Sequence, residues 1–253
     1  MNIVFSFDDG RIDSYNASRI LAKYGLSGSF HITTGFIDGT YSTNDFGVGR
    51  LPLTIEMLNE MISMGMEISS HGDRHIMHKN DFLNSLVKLD SMLKRNSERT
   101  GFSVPNSKFN DLSLKQFGQS VEDRLLYIRV GRSVKCYTLL NKLRYFFYHK
   151  FYMYSLFKSF NKNNVLDEID IFKIHSLVVK SDTRIDHLIK FIGDYKNSDS
   201  TLVLMFHSIT EEPKDVWEYR QSDFIKLCEY VSSEAKIKNL KLEDIARYEQ
   251  NKV

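Results

Sequence analysis

Ile3-Val4-Phe5-Ser6-Phe7-Asp8-Asp9-Gly10 reads as a short apolar strand that ends in two adjacent carboxylates and a glycine turn. In α/β folds, side chains at the C-terminal ends of parallel strands line the site, so this ending lifts both carboxylates to where chemistry is built. Two neighbouring carboxylates repel each other. A bound cation is the simplest way to keep both ionised at neutral pH, and such a cation needs ligands from elsewhere in the chain.

Outward from this stretch the pattern alternates. Ile12, Tyr15, Ile20, Leu21 and Tyr24 recur near helical spacing, with Gly25 as a C-cap. A second strand is expected over 29–33, closed by Gly35, and the loop 35–53 is long enough to read as site-lining. Thr54 caps a helix whose Ile55, Leu58, Met61 and Ile62 share a face, and Gly65 stops it. A third strand over 66–70 runs into His71-Gly72-Asp73-Arg74-His75, and a polar helix follows through Leu83, Leu86, Leu89 and Leu93. Further strands are expected at 102–106 (broken by Pro105), 125–130, 171–177 and 202–207. Helices fit 113–122, 184–195, 222–237 and the tail from Leu242. This alternation predicts a parallel sheet closed into, or approaching, a barrel.

A chain of 253 residues fits one such barrel or two small domains; with only three prolines and no Gly/Ser-rich tract, a single domain over 1–253 is expected. The 42% hydrophobic and 26% charged residues are those of an ordinary soluble globular protein. A formal charge of +2 supplies no global field for nucleic acid, which is not expected as a partner. Cys136 and Cys228 lack a metal-binding spacing and read as reduced thiols. The first strand begins at Asn2, leaving no signal-peptide pattern, and no run of about 18 apolar residues is present. A cytoplasmic protein is expected.

His71 and His75 stand four apart just past a strand; on a helical turn that spacing suits one divalent metal. With one carboxylate of the Asp8/Asp9 pair they form a His/His/Asp set that leaves a position open for water, the pattern of a catalytic zinc site. Asp8, Asp9, His71, His75 and His207 all fall at expected strand C-termini, which a barrel gathers at one rim. His31 ends a strand near that rim and reads either as a site residue or as a hydrogen-bonded core histidine. His78 and His175 read as structural or exposed, and Asp73 as a brace for the turn or a ligand imidazole. Trp217 follows the His207 loop and suits either stacking on a ligand or packing in the core or as a lid.

These residues resemble the polysaccharide deacetylase family, the NodB-like carbohydrate esterases of family 4. Ser6-Phe7-Asp8-Asp9-Gly10 is similar to the family's T/S-F-D-D-G motif, and His71 and His75 to its H-x-x-x-H motif, with Gly72 in place of the usual hydroxyl residue. The strand 202–207, ending in His207, is similar to the last motif. The resemblance implies a distorted (β/α) barrel of about seven parallel strands. It implies that Asp9, His71 and His75 hold one divalent metal, with zinc the default, that Asp8 is the general base and that His207 is the general acid. The substrate it implies is an N-acetylated carbohydrate of a cell-surface glycan or its intracellular precursor. The middle motif departs: 102–106 keeps only Pro105 and lacks the arginine that orients the base. Arg129, at the end of the next strand, is then either the partner of Asp8 or a surface arginine. An O-acetyl ester or small amide as substrate, or a silent sugar-binding relative, stand as alternatives.

One segment is foreign to such a barrel. Residues 136–166 contain no acid, and nine aromatics fall between Tyr145 and Phe160 among Lys142, Arg144, Lys150 and Lys158. The insertion 138–165 reads as a peripheral membrane contact, a buried helical insertion or a subunit contact.

Overall fold

The computed structural model describes residues 1–41, 50–132 and 139–252. Seven parallel strands form its centre: β1 (Asn2–Phe7), β2 (Gly28–Ile32), β3 (Glu67–Ser70), β4 (Thr100–Ser103), β5 (Leu125–Arg132), β6 (Ile174–Val178) and β7 (Thr201–Phe206). Neighbours pair in chain order, and β1 pairs with β7 from Asn2↔Thr201 to Phe7↔Phe206, which closes the ring. Closure is uneven. β3 meets β4 only at Ser70↔Phe102, and β6 meets β7 only at Leu177↔Leu204 and Val178↔Met205. Lys238–Asn239 and Val165–Leu166 pair with the starts of β1 and β7. The chain is a distorted (β/α) barrel.

Alternation along the strands separates two environments. Phe5 and Phe7 of β1 face the surrounding helices, among them α1 (Asp13–Lys23) and α8 (Gln221–Ser233). Phe7 stacks on Phe30 at 4.5 Å and on Phe206 at 5.4 Å, and Phe206 meets Phe224 of α8 edge-on at 5.4 Å. The alternate residues point inward and are strongly polar: Ser6, His31, Glu67, Ser69, Ser103 and Arg129 are all buried. Such an interior is tolerable only if its groups satisfy one another. Glu67 accepts from Ser29 Oγ at 2.6 Å, Ser69 Oγ at 2.6 Å and the Tyr127 hydroxyl at 2.5 Å. Burial, with Glu243 nearby, still pushes its pKa up.

Helix α9 (Leu242–Gln250) shuts the end of the barrel where the strands begin. Its Leu242, Ile245 and Ala246 pack with Val4, Tyr127 and Val203. Its first amides donate to Ser29 Oγ (2.9 Å) and Glu67 Oε2 (3.1 Å). The carboxylates and imidazoles lie at the opposite, C-terminal rim, where they line a cavity.

The other helices of eight residues or more among the described residues are α2 (Ile55–Ser63), α3 (Lys79–Leu93), α4 (Asp111–Ser120), α5 (Leu139–Phe151), α6 (Tyr154–Asn161) and α7 (Ile185–Tyr195). The helix expected over 222–237 ends at Ser233, before the segment that pairs with β1. The strand expected over 102–106 ends at Ser103; Pro105 starts a tight turn whose Asn106 and Ser107 take φ of +56° and +49°. The basic aromatic segment holds α5 and α6, which pack on α7 through Tyr148 and Phe157 against His187 and Phe191. Cys228 is a buried free thiol whose pKa burial pushes up, so its nucleophilic thiolate is scarce. Cys136 and residues 42–49 of the loop 35–53 lie outside the described residues. No helix among the described residues is long and apolar enough to cross a membrane.

Phe206 joins β7 to α8 through four aromatic contacts, to Phe5, Phe7, Tyr219 and Phe224. Phe206→Ala is expected to cost about 3–5 kcal/mol in denaturant unfolding; a loss near zero would show that β7 is held elsewhere.

Candidate active site

The site starts from a turn that few residues can make. Asp9 (φ +76°) and Gly10 (φ +85°) are both left-handed, which sharply turns the chain at the end of β1. A Cβ on Gly10 would lie 3.2 Å from side-chain carbons of Ile32 and Ile37, so glycine meets a steric demand as well as a conformational one. Both carboxylates are thereby buried.

Each has its own arginine. Arg129, from β5, donates to Asp8 Oδ1 and to Ser103 Oγ, and its Nη1 lies 3.4 Å from Ser176 Oγ. Ser103 Oγ itself donates to Asp8 Oδ1 at 3.1 Å. Arg11 Nη2 pairs with Asp9 Oδ2 at 2.7 Å. Burial works to raise both carboxyl pKa values. Arg129, His71 and the nearby imidazoles override it at Asp8; the His71 hydrogen bond, His207 and Arg11 override it at Asp9, so both lie below the usual carboxylate range. This corrects the electrostatic argument made from sequence. Two buried guanidiniums already keep the pair ionised, and the case for a cation must rest on donor geometry.

That geometry comes from the loop after β3. The segment is not a helical turn: Gly72 (φ +85°) and His75 (φ +57°) are left-handed. Asp81, near the start of α3, accepts from the amides of Asp73 (2.9 Å) and Arg74 (2.8 Å). A Cβ on Gly72 would lie 2.3 Å from Asp81 Oδ2, which explains glycine at this position. Asp73 accepts from Thr34 Oγ1 at 2.8 Å and pairs with Lys88 at 2.8 Å, bracing the loop. His78 caps α3, its Nδ1 accepting from Asn80 N at 3.3 Å.

His71 Nδ1 lies 2.9 Å from the Ser103 carbonyl, which can only accept, so Nδ1 carries the proton and the Nε2 lone pair is free. That Nε2 is 3.1 Å from His75 Nε2 and 3.5 Å from Asp9 Oδ1, and His75 Nε2 is 3.6 Å from the same oxygen. Zinc–nitrogen bonds of about 2.05 Å opened at the tetrahedral angle put their donors about 3.3 Å apart. The three donors therefore fit one divalent cation. Two imidazole nitrogens this close need a proton or a cation between them. In its absence the carboxylates supply the first option: burial lowers the His71 pKa, but Asp8 and Asp9 outweigh it and hold it above the ordinary imidazole value.

Above this set lies an open cavity of about 500 Å3. Asp8, Asp9, His71, His75 and His207 reach it, and Trp217 forms part of its wall. Ser208–Thr210 pairs in parallel with Glu218–Arg220, which places Trp217 beside His207 at 4.8 Å between ring centroids. Burial, only partly offset by Asp9 and Asp8, holds His207 below the ordinary imidazole range. Its buried Nδ1 has no hydrogen-bond partner among the described residues.

His31 is not at the cavity. It lies beneath Asp8, with Nδ1 3.7 Å from Asp8 Oδ1 and Nε2 3.0 Å from the Tyr127 hydroxyl; burial and Arg129 lower its pKa to about 3. Pro105 is buried and shapes the turn, while its neighbours Val104, Asn106 and Ser107 line the cavity. Half-buried His175 sits on β6. Arg11 and Asp81 escaped the sequence reading. Arg11 had one usable signal, its place directly after the acidic turn; Asp81 had none, because its partners are backbone amides.

A closed parallel barrel with two carboxylates and two imidazoles at its open rim defines the class: an α/β-barrel protein with a candidate metal centre. Residues 2–120 match the family model described as polysaccharide deacetylase. Among solved structures, the deacetylase PplD of Streptococcus pyogenes, in complex with acetate, is 25% identical over 46% of this chain and 51% of that one, with a TM-score of 0.36. The family 4 acetyl xylan esterase of Clostridium thermocellum, in complex with a cobalt ion, is 12% identical over 99% of this chain and 92% of that one, TM-score 0.53. The Xyl-CE4 domain of a xylanase from the hindgut metagenome of Trinervitermes trinervoides is 11% identical over 100% and 91%, TM-score 0.52. The latter two share the fold. No curated protein matches the sequence significantly.

A raised His71 pKa contributes stability that is complete below the unfolded value of 6.5 and is lost as pH rises through the folded value. Metal-free protein should therefore lose melting temperature above that pH, while the stabilisation gained from added Zn2+ or Co2+ should grow as His71 gives up its proton. An equal metal-induced shift at about pH 6 and about pH 8 would contradict this assignment. Asp81→Asn is expected to weaken metal binding by about 10–100-fold in calorimetry, through the loop rather than through a ligand.

Proposed function

We propose that the chain is a single-domain, metal-dependent de-N-acetylase acting on an N-acetylated sugar of a cell-surface glycan or its cytoplasmic precursor. One observation carries the reading: the Asp9–His71–His75 donor set lies beside an aspartate, Asp8, that is anchored through one oxygen and opens into the same cavity through its environment. Asp9, His71 and His75 would hold the cation, with zinc the default for two imidazoles and a carboxylate. When bound there, it supplies Lewis-acid polarisation of the acetyl carbonyl and of the attacking water.

The protein's own groups account for the proton movements. Asp8 is the base. Arg129 and Ser103 hold its Oδ1, leaving Oδ2, on the His71 side at 4.0 Å from Nε2, to take a proton from water. Arg129 thus stands in for the arginine missing from the middle motif. His207 is the group that protonates the leaving nitrogen, and its lowered pKa makes the imidazolium a strong donor that is scarce at neutral pH. Arg11 fixes the second oxygen of Asp9, so that Oδ1 faces the imidazoles. Trp217 offers a ring face at the cavity wall for a sugar.

The cobalt ion in the Clostridium thermocellum acetyl xylan esterase supports the metal reading, and that protein's name supports an acetylated substrate. An O-acetyl ester is the second reading. His207 has no orienting partner at Nδ1 among the described residues, and an alcohol needs less help from a proton donor to leave than an amine does.

Metal content should be measured beside acetate release from N- and O-acetylated sugars, for wild type and Asp9→Ala. About one metal per chain and acetate release, both lost in the variant, is the expected result; metal with no acetate from any sugar would overturn the hydrolase reading. Arg129→Ala should lower kcat by about 100-fold or more. It should also move the acidic limb of the pH–rate profile upward, because the guanidinium that depresses Asp8 is gone. Activity within a few-fold of wild type would remove Arg129 from the site.

A further inference from the structure

The hairpin of α5 and α6 exposes Leu143, Phe146, Phe147, Phe151, Tyr152 and Met153. On α5, residues 143, 146, 147 and 151 share one helical face, opposite in role to Tyr148, which is buried toward α7. The exposed rings pack on each other: Phe146 and Phe147 at 5.8 Å, Phe147 and Phe151 stacked at 5.8 Å. Lys150 stands in the same patch, its Nζ 5.5 Å from the Phe146 ring centre and 5.6 Å from that of Phe151, and Lys142 is exposed beside it. The acids near the hairpin among the described residues include Asp182, close to Tyr148, and two of α7 that are paired, Asp194 with Lys158 and Asp186 with Arg184.

The patch also has a direction. Helix α7 begins just after β6 ends, so its first turn is at the open rim. Tyr154 at the start of α6 lies against His187, and Lys158 pairs with Asp194 at 2.7 Å, so α6 runs away from the rim. The apex 151–153 is therefore at the mouth end. From there a row of cations on aromatics leads to the cavity: Arg184 lies over Tyr152 at 4.6 Å, and Lys180 over Trp217 at 4.7 Å.

We propose that this face docks the protein on an anionic bilayer surface, with the cavity mouth toward the headgroups. Exposed aromatics interleaved with lysines, in a segment without acids, complement anionic headgroups over an apolar boundary. A second copy is the poorer occupant, since a two-fold contact through this face would bring its lysines, Lys142 and Lys150, together with those of the other copy. Docking stands independently of the hydrolase reading. Its consequence, that the substrate is a lipid-carried glycan presented at the membrane, rests on that reading.

The test is co-sedimentation of the full chain with phosphatidylcholine vesicles, alone or with about 30% phosphatidylglycerol. Wild type should bind the anionic vesicles several-fold better and lose that gain in high salt. Phe147→Ser/Phe151→Ser and Lys142→Glu/Lys150→Glu should each fall to the phosphatidylcholine level while retaining wild-type melting temperature and metal content. Equal binding to both vesicle types would overturn the proposal, as would binding unchanged in both variants. A wild-type dimer that the phenylalanine variant turns into monomer, without a loss of vesicle binding, would reassign the face to self-association. Acetate release from a soluble N-acetylated sugar reports the hydrolase reading separately, and both variants should keep whatever wild type shows.

Discussion

Two carboxylates buried side by side at the end of one strand are the constraint around which this barrel is arranged. Neither could stay ionised there alone, because burial works against both. The barrel answers with two buried guanidiniums on separate elements, Arg11 on the turn itself and Arg129 on β5. The division has a chemical consequence. Asp8 is tied at Oδ1 and Asp9 at Oδ2, which leaves Asp9 Oδ1 facing the imidazoles and Asp8 Oδ2 on the His71 side. Neutralising the pair with one shared cation would have left neither oxygen so selectively placed.

The rest of the interior follows from the same requirement. A polar barrel core is stable only when each group has a partner. The chain from Asp8 through His31 and Tyr127 to Glu67 crosses the barrel in contacts of 3.7, 3.0 and 2.5 Å and ends on the first amides of α9. The closed end thus supports the open one. Apolar stabilisation is displaced outward, to the aromatic layer of Phe7, Phe206 and Phe224 between strands and helices. The loop after β3 is set by the same economy of backbone partners: Asp81 takes two amides, and the left-handed Gly72 and His75 bring both imidazoles inward.

Much of this was legible before any coordinates. Strand ends at Asp8 and His207 stand out because each polar group follows an apolar run, His71 because a second histidine follows it four residues on, and parallel strands bring such ends to one rim. The helical-turn reading of His71–His75 failed because spacing alone does not report φ, and the segment's conformation is dictated by Asp81 and the glycine contact. His31 was ambiguous for a similar reason. Its strand position is compatible with rim or interior, and the tilt of the barrel places it beneath Asp8.

The sequence by itself determined the alternation of strands and helices, the acidic turn, the histidine pair and an insertion rich in aromatics and cations. These are local properties, fixed by periodicity and by residue chemistry within a few positions. Tertiary structure alone decided which arginine serves which carboxylate, since Arg129 and Asp8 are 121 residues apart and meet only when the ring closes. It alone decided that His71, His75 and Asp9 present three donors to one point. It also decided that the hairpin apex lies at the mouth, through the direction of α6 along α7. Periodicity identifies which residues share a face, whereas closure of the barrel decides which faces meet.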